Sequence, residues 1–103
     1  MLEVHVCNSE GVLLRAFALG DNAEVIIGRD RHCDIRTASS SVSREHCVIE
    51  RRGQKHILRD LNSTGGIFLA GDRLDQVQVR DGLEVMIGPA VLKFFQGGGS
   101  VGL

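Results

Sequence analysis

Gln76-Val77-Gln78-Val79-Arg80-Asp81-Gly82-Leu83-Glu84-Val85-Met86-Ile87 is the stretch that decides the fold class. Val77 and Val79 alternate with Gln76, Gln78 and Arg80, and Leu83, Val85 and Ile87 alternate again after the break. Residues two apart share one face of a strand, so each half reads as a half-buried β-strand and neither reads as a helix. Asp81-Gly82 between them is the strongest hairpin signal in the chain, because a two-residue turn with positive φ favours that pair. Two antiparallel strands joined by a tight turn are therefore expected here.

Working outward, the same pattern recurs. Leu2, Val4 and Val6 alternate with Glu3, His5 and Cys7. Val12 to Leu19, Glu24 to Ile27, Cys33 to Arg36, His46 to Arg52, Lys55 to Asp60, Ile67 to Leu69 and Val91 to Phe95 read as further extended runs, with Gly53-Gln54 as a hairpin connection. Ala70-Gly71-Asp72 and Gly88-Pro89 read as turns. About ten or eleven short runs spaced by roughly 8 to 12 residues, with no apolar 3.6-residue stripe long enough for a helix, predict an all-β sandwich. Thirteen glycines suit the number of turns such a fold requires.

At 103 residues the chain is sized for one domain. Residues 1–96 are assigned to it, and Gly97 to Leu103 read as a flexible Gly-rich tail or the start of a linker. A net charge of -1 and four aromatic residues, all Phe, count against extended nucleic-acid binding, which needs a basic face and stacking rings. Cys7, Cys33 and Cys47 are odd in number and scattered, which argues against a disulfide framework and for a reducing compartment. No apolar run approaches a membrane span, and Met1 to Cys7 lacks a signal-like core. The expectation is an intracellular, monomeric domain, cytoplasmic or nuclear, without membrane insertion.

The chemistry collects in loops, where a sandwich carries its binding residues. Ser43-Arg44-Glu45-His46 closes a Ser-rich, hydrophobe-poor loop; Ile26-Ile27-Gly28-Arg29-Asp30 ends an apolar run on a glycine and a fixed positive charge; Asp60-Leu61-Asn62-Ser63-Thr64-Gly65-Gly66 is a polar turn. From Arg29 to Arg44 four arginines (29, 31, 36, 44) stand against two aspartates (30, 34), an excess of +2. If the three loops meet at one end of the sandwich, they offer a guanidinium, hydroxyls and backbone N–H groups to one small anion, phosphate-like in size and charge.

In order and spacing, Gly28-Arg29, Cys33-Asp34-Ile35, Val42 to His46 and Asp60 to Gly66 resemble the forkhead-associated (FHA) domain over roughly residues 3 to 95. The resemblance implies an eleven-stranded, antiparallel-rich β-sandwich of the FHA/SMAD type that binds phosphothreonine peptides through loops at one end. By the same resemblance, Arg29 contacts the phosphate, Ser43 donates its hydroxyl to it, Thr64 adds a further donor, and Arg44 lies near phosphate or peptide. His46 braces the serine loop, Gly28 permits a tight strand exit, and Ser63 supports the site from the neighbouring turn. The implied partner is a phosphothreonine protein in a Ser/Thr kinase pathway, with no cofactor, no metal and no catalysis.

One position departs from the family pattern. After the Ser-Thr pair the family usually carries Asn, which holds the peptide backbone; here that position is Gly65. Asn62 stands where glycine is common, Ile67 where threonine is common and Ala70 where asparagine is common. The phosphate-facing half of the site is expected to be intact and the peptide clamp weakened. A phosphate-independent interaction or assembly domain on the same fold is the alternative this leaves open.

Other readings of the same residues are poorer. A catalytic Ser-His pair lacks a Gly-x-Ser-x-Gly elbow and an orienting carboxylate. His32-Cys33 and His46-Cys47 invite a metal, yet neighbours on a strand point to opposite faces and no Cys-x-x-Cys is present. No Gly-Lys-Ser or Gly-Lys-Thr marks a P-loop. Thr37 and Ser39 to Ser41 are candidate kinase targets, as Ser-rich loops often are.

Overall fold

The computed structural model describes residues 1–96; the tail assigned to 97–103 lies outside them. Among the described residues there are eleven strands and no helix: β1 (Leu2–Cys7), β2 (Leu13–Ala18), β3 (Glu24–Gly28), β4 (Ile35–Arg36), β5 (Cys47–Arg52), β6 (Lys55–Asp60), β7 (Ile67–Leu69), β8 (Asp72–Leu74), β9 (Gln76–Gln78), β10 (Glu84–Ile87) and β11 (Ala90–Gln96). They form a six-stranded sheet in the order β2-β1-β11-β10-β7-β8 and a five-stranded sheet in the order β4-β3-β5-β6-β9. Every pairing is antiparallel except β3 with β4. The expected all-β sandwich is the observed fold.

Period-two alternation is what packs the two sheets together. Val4 and Val6 of β1, Val85 and Ile87 of β10, and Leu92 and Phe94 of β11 point inward from the larger sheet. Val25 and Ile27 of β3, Cys47 and Ile49 of β5 and Leu58 of β6 meet them from the smaller one. Ile27, Leu58, Ile87, Leu92 and Phe94 have no solvent exposure at all. This shared core is the main stabilising term, and it fixes register, since a one-residue slip would turn each of these side chains to water. β2 is the exception. As an edge strand it leaves Leu13 and Leu14 in solvent, and of that apolar run only Leu19, just past its end, is fully buried.

The Asp81-Gly82 hairpin is corrected by the structure. β9 pairs with β6 in one sheet, whereas β10 pairs with β11 and β7 in the other. The turn is real: the Leu83 N–H donates to the Arg80 carbonyl at 3.1 Å and Gly82 has φ of 85°. It carries the chain across the sandwich instead of folding one strand onto the next, and it is pinned to β11 by Gly82 N–H to the Phe94 carbonyl and Gln96 N–H to Asp81 Oδ1. Positive φ at the second central residue suits a type II turn, which imposes no strand pairing. Gly53-Gln54, by contrast, does close a hairpin, with Arg52 opposite Lys55. A further two-residue hairpin at Ala70-Gly71 joins β7 to β8, with φ of 50° and 89°.

Candidate functional site

Three loops meet at one end of the sandwich because backbone hydrogen bonds tie them together. Leaving β3, Arg29 donates its N–H to the Ser43 carbonyl at 3.0 Å and Asp30 donates to the Arg44 carbonyl at 3.1 Å. The Arg29 side chain adds a bond from Nε to the Val42 carbonyl at 3.0 Å. Gly28 is what allows this approach: a Cβ there would lie 2.1 Å from the Arg44 carbonyl oxygen. Its need is for space, not for an unusual φ.

His46 joins the serine loop to the 60–66 turn. It is fully buried, and its Nδ1 accepts the Ser43 N–H at 3.1 Å while its Nε2 lies 2.7 Å from the Gly66 carbonyl. A backbone N–H only donates and a carbonyl only accepts, so the ring is the neutral tautomer with its proton on Nε2. Both nitrogens are thereby occupied by backbone. The imidazole braces two loops and has no lone pair left to activate the Ser43 hydroxyl.

The 60–66 turn is built on its own side chains. Asp60 accepts from both the Ser63 N–H and the Ser63 hydroxyl, and Ser63 Oγ in turn accepts the Gly66 N–H at 2.8 Å. Arg73, on β8, packs where a Gly66 side chain would stand and donates to the Ser63 carbonyl. The turn so formed aims the Thr64 N–H at Ser43 Oγ, 3.1 Å away. Gly65 differs from Gly28 and Gly66: a Cβ at this position would lie 3.7 Å from the Ser41 carbonyl and 3.8 Å from the His46 ring, ordinary contact distances.

Arg29, Ser43, Thr64 and Gly65 line one depression of about 270 Å³, together with Ser40, Ser41 and Val42. No carboxylate lines it, and Arg29 makes no ion pair among the described residues. The acids nearby are otherwise engaged: His32 bonds Asp30 through Nδ1 at 2.9 Å and Glu45 through Nε2 at 2.7 Å. The Glu45 bond, then Asp30, raises the His32 pKa, and the His32 contacts hold Asp30 below its ordinary value. The depression is thus a concave, net positive surface with hydroxyls and a guanidinium, suited to hold an anion and devoid of an activated nucleophile.

Of the residues singled out in sequence, Arg29, Ser43, Thr64 and Gly65 come together in the depression, while Gly28, His46 and Ser63 lie behind it. Arg44 does not line it; its side chain is exposed and its carbonyl accepts from Asp30 and from the Cys33 thiol. Ser41, named above only as a candidate kinase target, also lines the depression, and Arg73 supports the 60–66 turn from behind with no signal in the sequence pattern. Ser41 belongs to a loop already notable for its serines, but its packing against Gly88 is a long-range contact, and Arg73 acts from a strand with a single apolar residue. A larger depression of about 480 Å³ on the outer side of β7, β10 and β11 is lined by Phe68, Met86 and Val91, with Glu84 its one charge among the described residues, which does not suit an anion.

Residues 25–88 match the family model described as FHA domain. The chain belongs to the FHA domain family. It is 32% identical over 74 residues to the ABC transporter ATP-binding/permease protein Rv1747 of Mycobacterium tuberculosis, covering 72% of this chain and 8% of that relative, so the chain spans a small part of its length. Among solved structures, the FHA domain of FhaA, a protein of the same bacterium, complexed with the intracellular domain of Rv3910, superposes with a TM-score of 0.79 at 28% identity, covering 91% of this chain and 99% of the other. A structure from a study of phosphothreonine-dependent FHA domain interactions superposes with a TM-score of 0.76 at 26% identity, covering 94% and 97%.

Proposed function

We propose that this FHA domain is a phosphothreonine-dependent binding module that recruits a phosphorylated partner of a Ser/Thr kinase pathway. The observation that carries the reading is the convergence of Arg29, Ser43 and Thr64 on one depression that no carboxylate of the described residues lines. In this reading the Arg29 terminal nitrogens take two phosphate oxygens, the Ser43 hydroxyl a third contact, and Thr64 closes the far wall. Charge-assisted bonds of this kind contribute about 1.5–3 kcal/mol each. Arg44 stands outside the lining and would meet the peptide beside the phosphate. Catalysis has no part in this reading. Phosphothreonine-dependent interactions of a structurally similar FHA domain support it.

A second reading rests on Gly65. Without an amide there, position 65 offers a bound peptide its backbone only, which favours a phosphate-independent interaction surface on the same fold.

Amide NMR on titration with phosphothreonine peptide pools separates the two. The first reading expects the Arg29, Ser43 and Thr64 amides to shift with phosphorylated pools and stay still with unphosphorylated ones. Shifts independent of phosphate, or confined to another face, favour the second.

A further inference from the structure

A second depression, of about 380 Å³, opens at the same end, where the β1–β2 loop, the residues after β4 and the β10–β11 turn meet. Arg15 and Arg36 contribute its charge, while Val6, Leu14, Pro89 and Ala90 help make most of its lining apolar. Among the described residues no aspartate or glutamate lines it. Arg51, Arg52 and Arg59 on the β5–β6 hairpin are each ion-paired, but Arg15 and Arg36 are not, among the described residues. Arg36 uses Nε on the Arg29 carbonyl at 3.0 Å, which leaves its terminal nitrogens available. The acids of the same segment are already engaged, Asp34 by the Ile26 N–H and Asp30 and Glu45 by His32. Two uncompensated guanidiniums sharing one concavity repel each other until an anion enters.

The two depressions adjoin. Ser39 lines the second, and the next two residues, Ser40 and Ser41, line the first. Arg36 holds the very residue whose guanidinium faces the first depression. An extended peptide advances about 3.3 Å per residue, so a pocket that adjoins the first is met by a near neighbour of the phosphothreonine.

Resting on the phosphothreonine reading above, we infer that the partner segment is doubly anionic: besides the phosphothreonine at Arg29, it places a second acidic side chain, carboxylate or phosphoryl, between Arg15 and Arg36. The aliphatic part of that residue or its neighbour rests on Leu14 and Pro89. The domain then selects a phosphothreonine set in an acidic or doubly phosphorylated context.

The test is fluorescence anisotropy with phosphothreonine peptides that are otherwise neutral, and with the same peptides carrying Glu or phosphoserine at each of five positions on either side. At one or two adjacent positions the second charge should tighten binding about tenfold, the scale of one well-placed charge pair. A larger gain for phosphoserine identifies a phosphoryl ligand, and an equal gain for Glu an acidic side chain. Arg15→Gln, on an exposed edge strand, should remove the gain and leave the neutral peptide's affinity unchanged; Arg36→Gln should also remove the gain. Arg29-dependent binding of the neutral peptide with no gain at any position overturns the inference alone. So does a gain equal at all positions that survives both substitutions, since that is diffuse attraction. If no peptide binds, the inference and the phosphothreonine reading fall together.

Discussion

The backbone N–H of Thr64 donates to the hydroxyl oxygen of Ser43 across 21 positions of sequence, at 3.1 Å. Because that oxygen accepts from inside the protein, the Ser43 hydroxyl proton is free to donate outward, and the bond polarises it in that direction. The loop that carries the serine and the turn that carries the threonine are thus coupled at the atom expected to meet the ligand. Ser43→Ala should weaken phosphopeptide binding about 10- to 100-fold, the equivalent of one charge-assisted hydrogen bond. Thr64 is exposed and its N–H can turn to water, so the melting temperature should change little. Calorimetric titration beside thermal denaturation reads both.

Gly65 is a departure that the fold does not require. A side chain there meets only ordinary contacts, from Ser41 and the His46 ring, and the backbone carries no positive φ. Gly65→Asn should therefore fold as well as the native chain and tighten phosphopeptide binding by about 1 kcal/mol, the contribution of one added hydrogen bond to peptide backbone. An unchanged affinity would mean that the peptide crosses the depression elsewhere.

Gly28 presents the opposite case. Gly28→Ala drives a Cβ into the Arg44 carbonyl and forces the serine loop away from β3. A loss of about 1–3 kcal/mol in stability, or more, is expected from overpacking of this kind. Phosphopeptide binding should fall further than stability alone explains, because Arg29 and Ser43 lose their register; denaturant melts and binding at a temperature well below the transition distinguish the two effects.

Ala70 occupies the left-handed region with φ of 50°, where a residue with a Cβ is strained by roughly 1–2 kcal/mol. Ala70→Gly should raise stability by about 1 kcal/mol, a shift of about 4–8 °C in a domain of this size. Asn62, at φ of 56°, bears the same conformation with less strain because its amide tolerates it.

These positions also show what the sequence could and could not convey. Strands β1 and β10 were legible because inward apolar positions alternate along them, and β6 and β11 because short apolar runs lie between turn signals. β8 was not: Asp72-Arg73-Leu74 has one apolar residue and lies at a sheet edge, and the turn before it places an alanine where a residue suited to positive φ would have announced a hairpin. Asp81-Gly82 announced a hairpin that does not exist, because local turn chemistry specifies a reversal and not which strands pair afterwards. The meeting of Arg29, Ser43 and Thr64 in one depression was anticipated from the polar loops that carry them and from the family resemblance. Arg73 behind Gly66 and Ser41 against Gly88 were not, since both are contacts between distant segments that carry no local signal.

Acid should unmask the charge cluster on the β5–β6 hairpin. Arg59 first, and then Arg52, pull the Glu50 carboxyl down to about 2. The folded pKa is below that of an unfolded Glu, about 4.3, so the contribution is complete above about pH 5 and is lost as pH falls toward 2. Arg59 and Arg52 are 39% and 50% exposed, and solvent screening limits the effect to on the order of 1 kcal/mol. Glu50→Gln should be less stable than the native chain at pH 7 and converge with it near pH 2, as read by urea denaturation across that range.

That Arg29 reads a phosphothreonine dianion is tested most directly by isothermal titration of the native domain and Arg29→Ala with phosphothreonine, phosphoserine and unphosphorylated peptide pools. The expected result is a dissociation constant near the micromolar level, about -8 kcal/mol, for the phosphothreonine pool alone, and its loss in Arg29→Ala. Equal binding of the unphosphorylated pool, or phosphopeptide binding that survives the loss of Arg29, would contradict it.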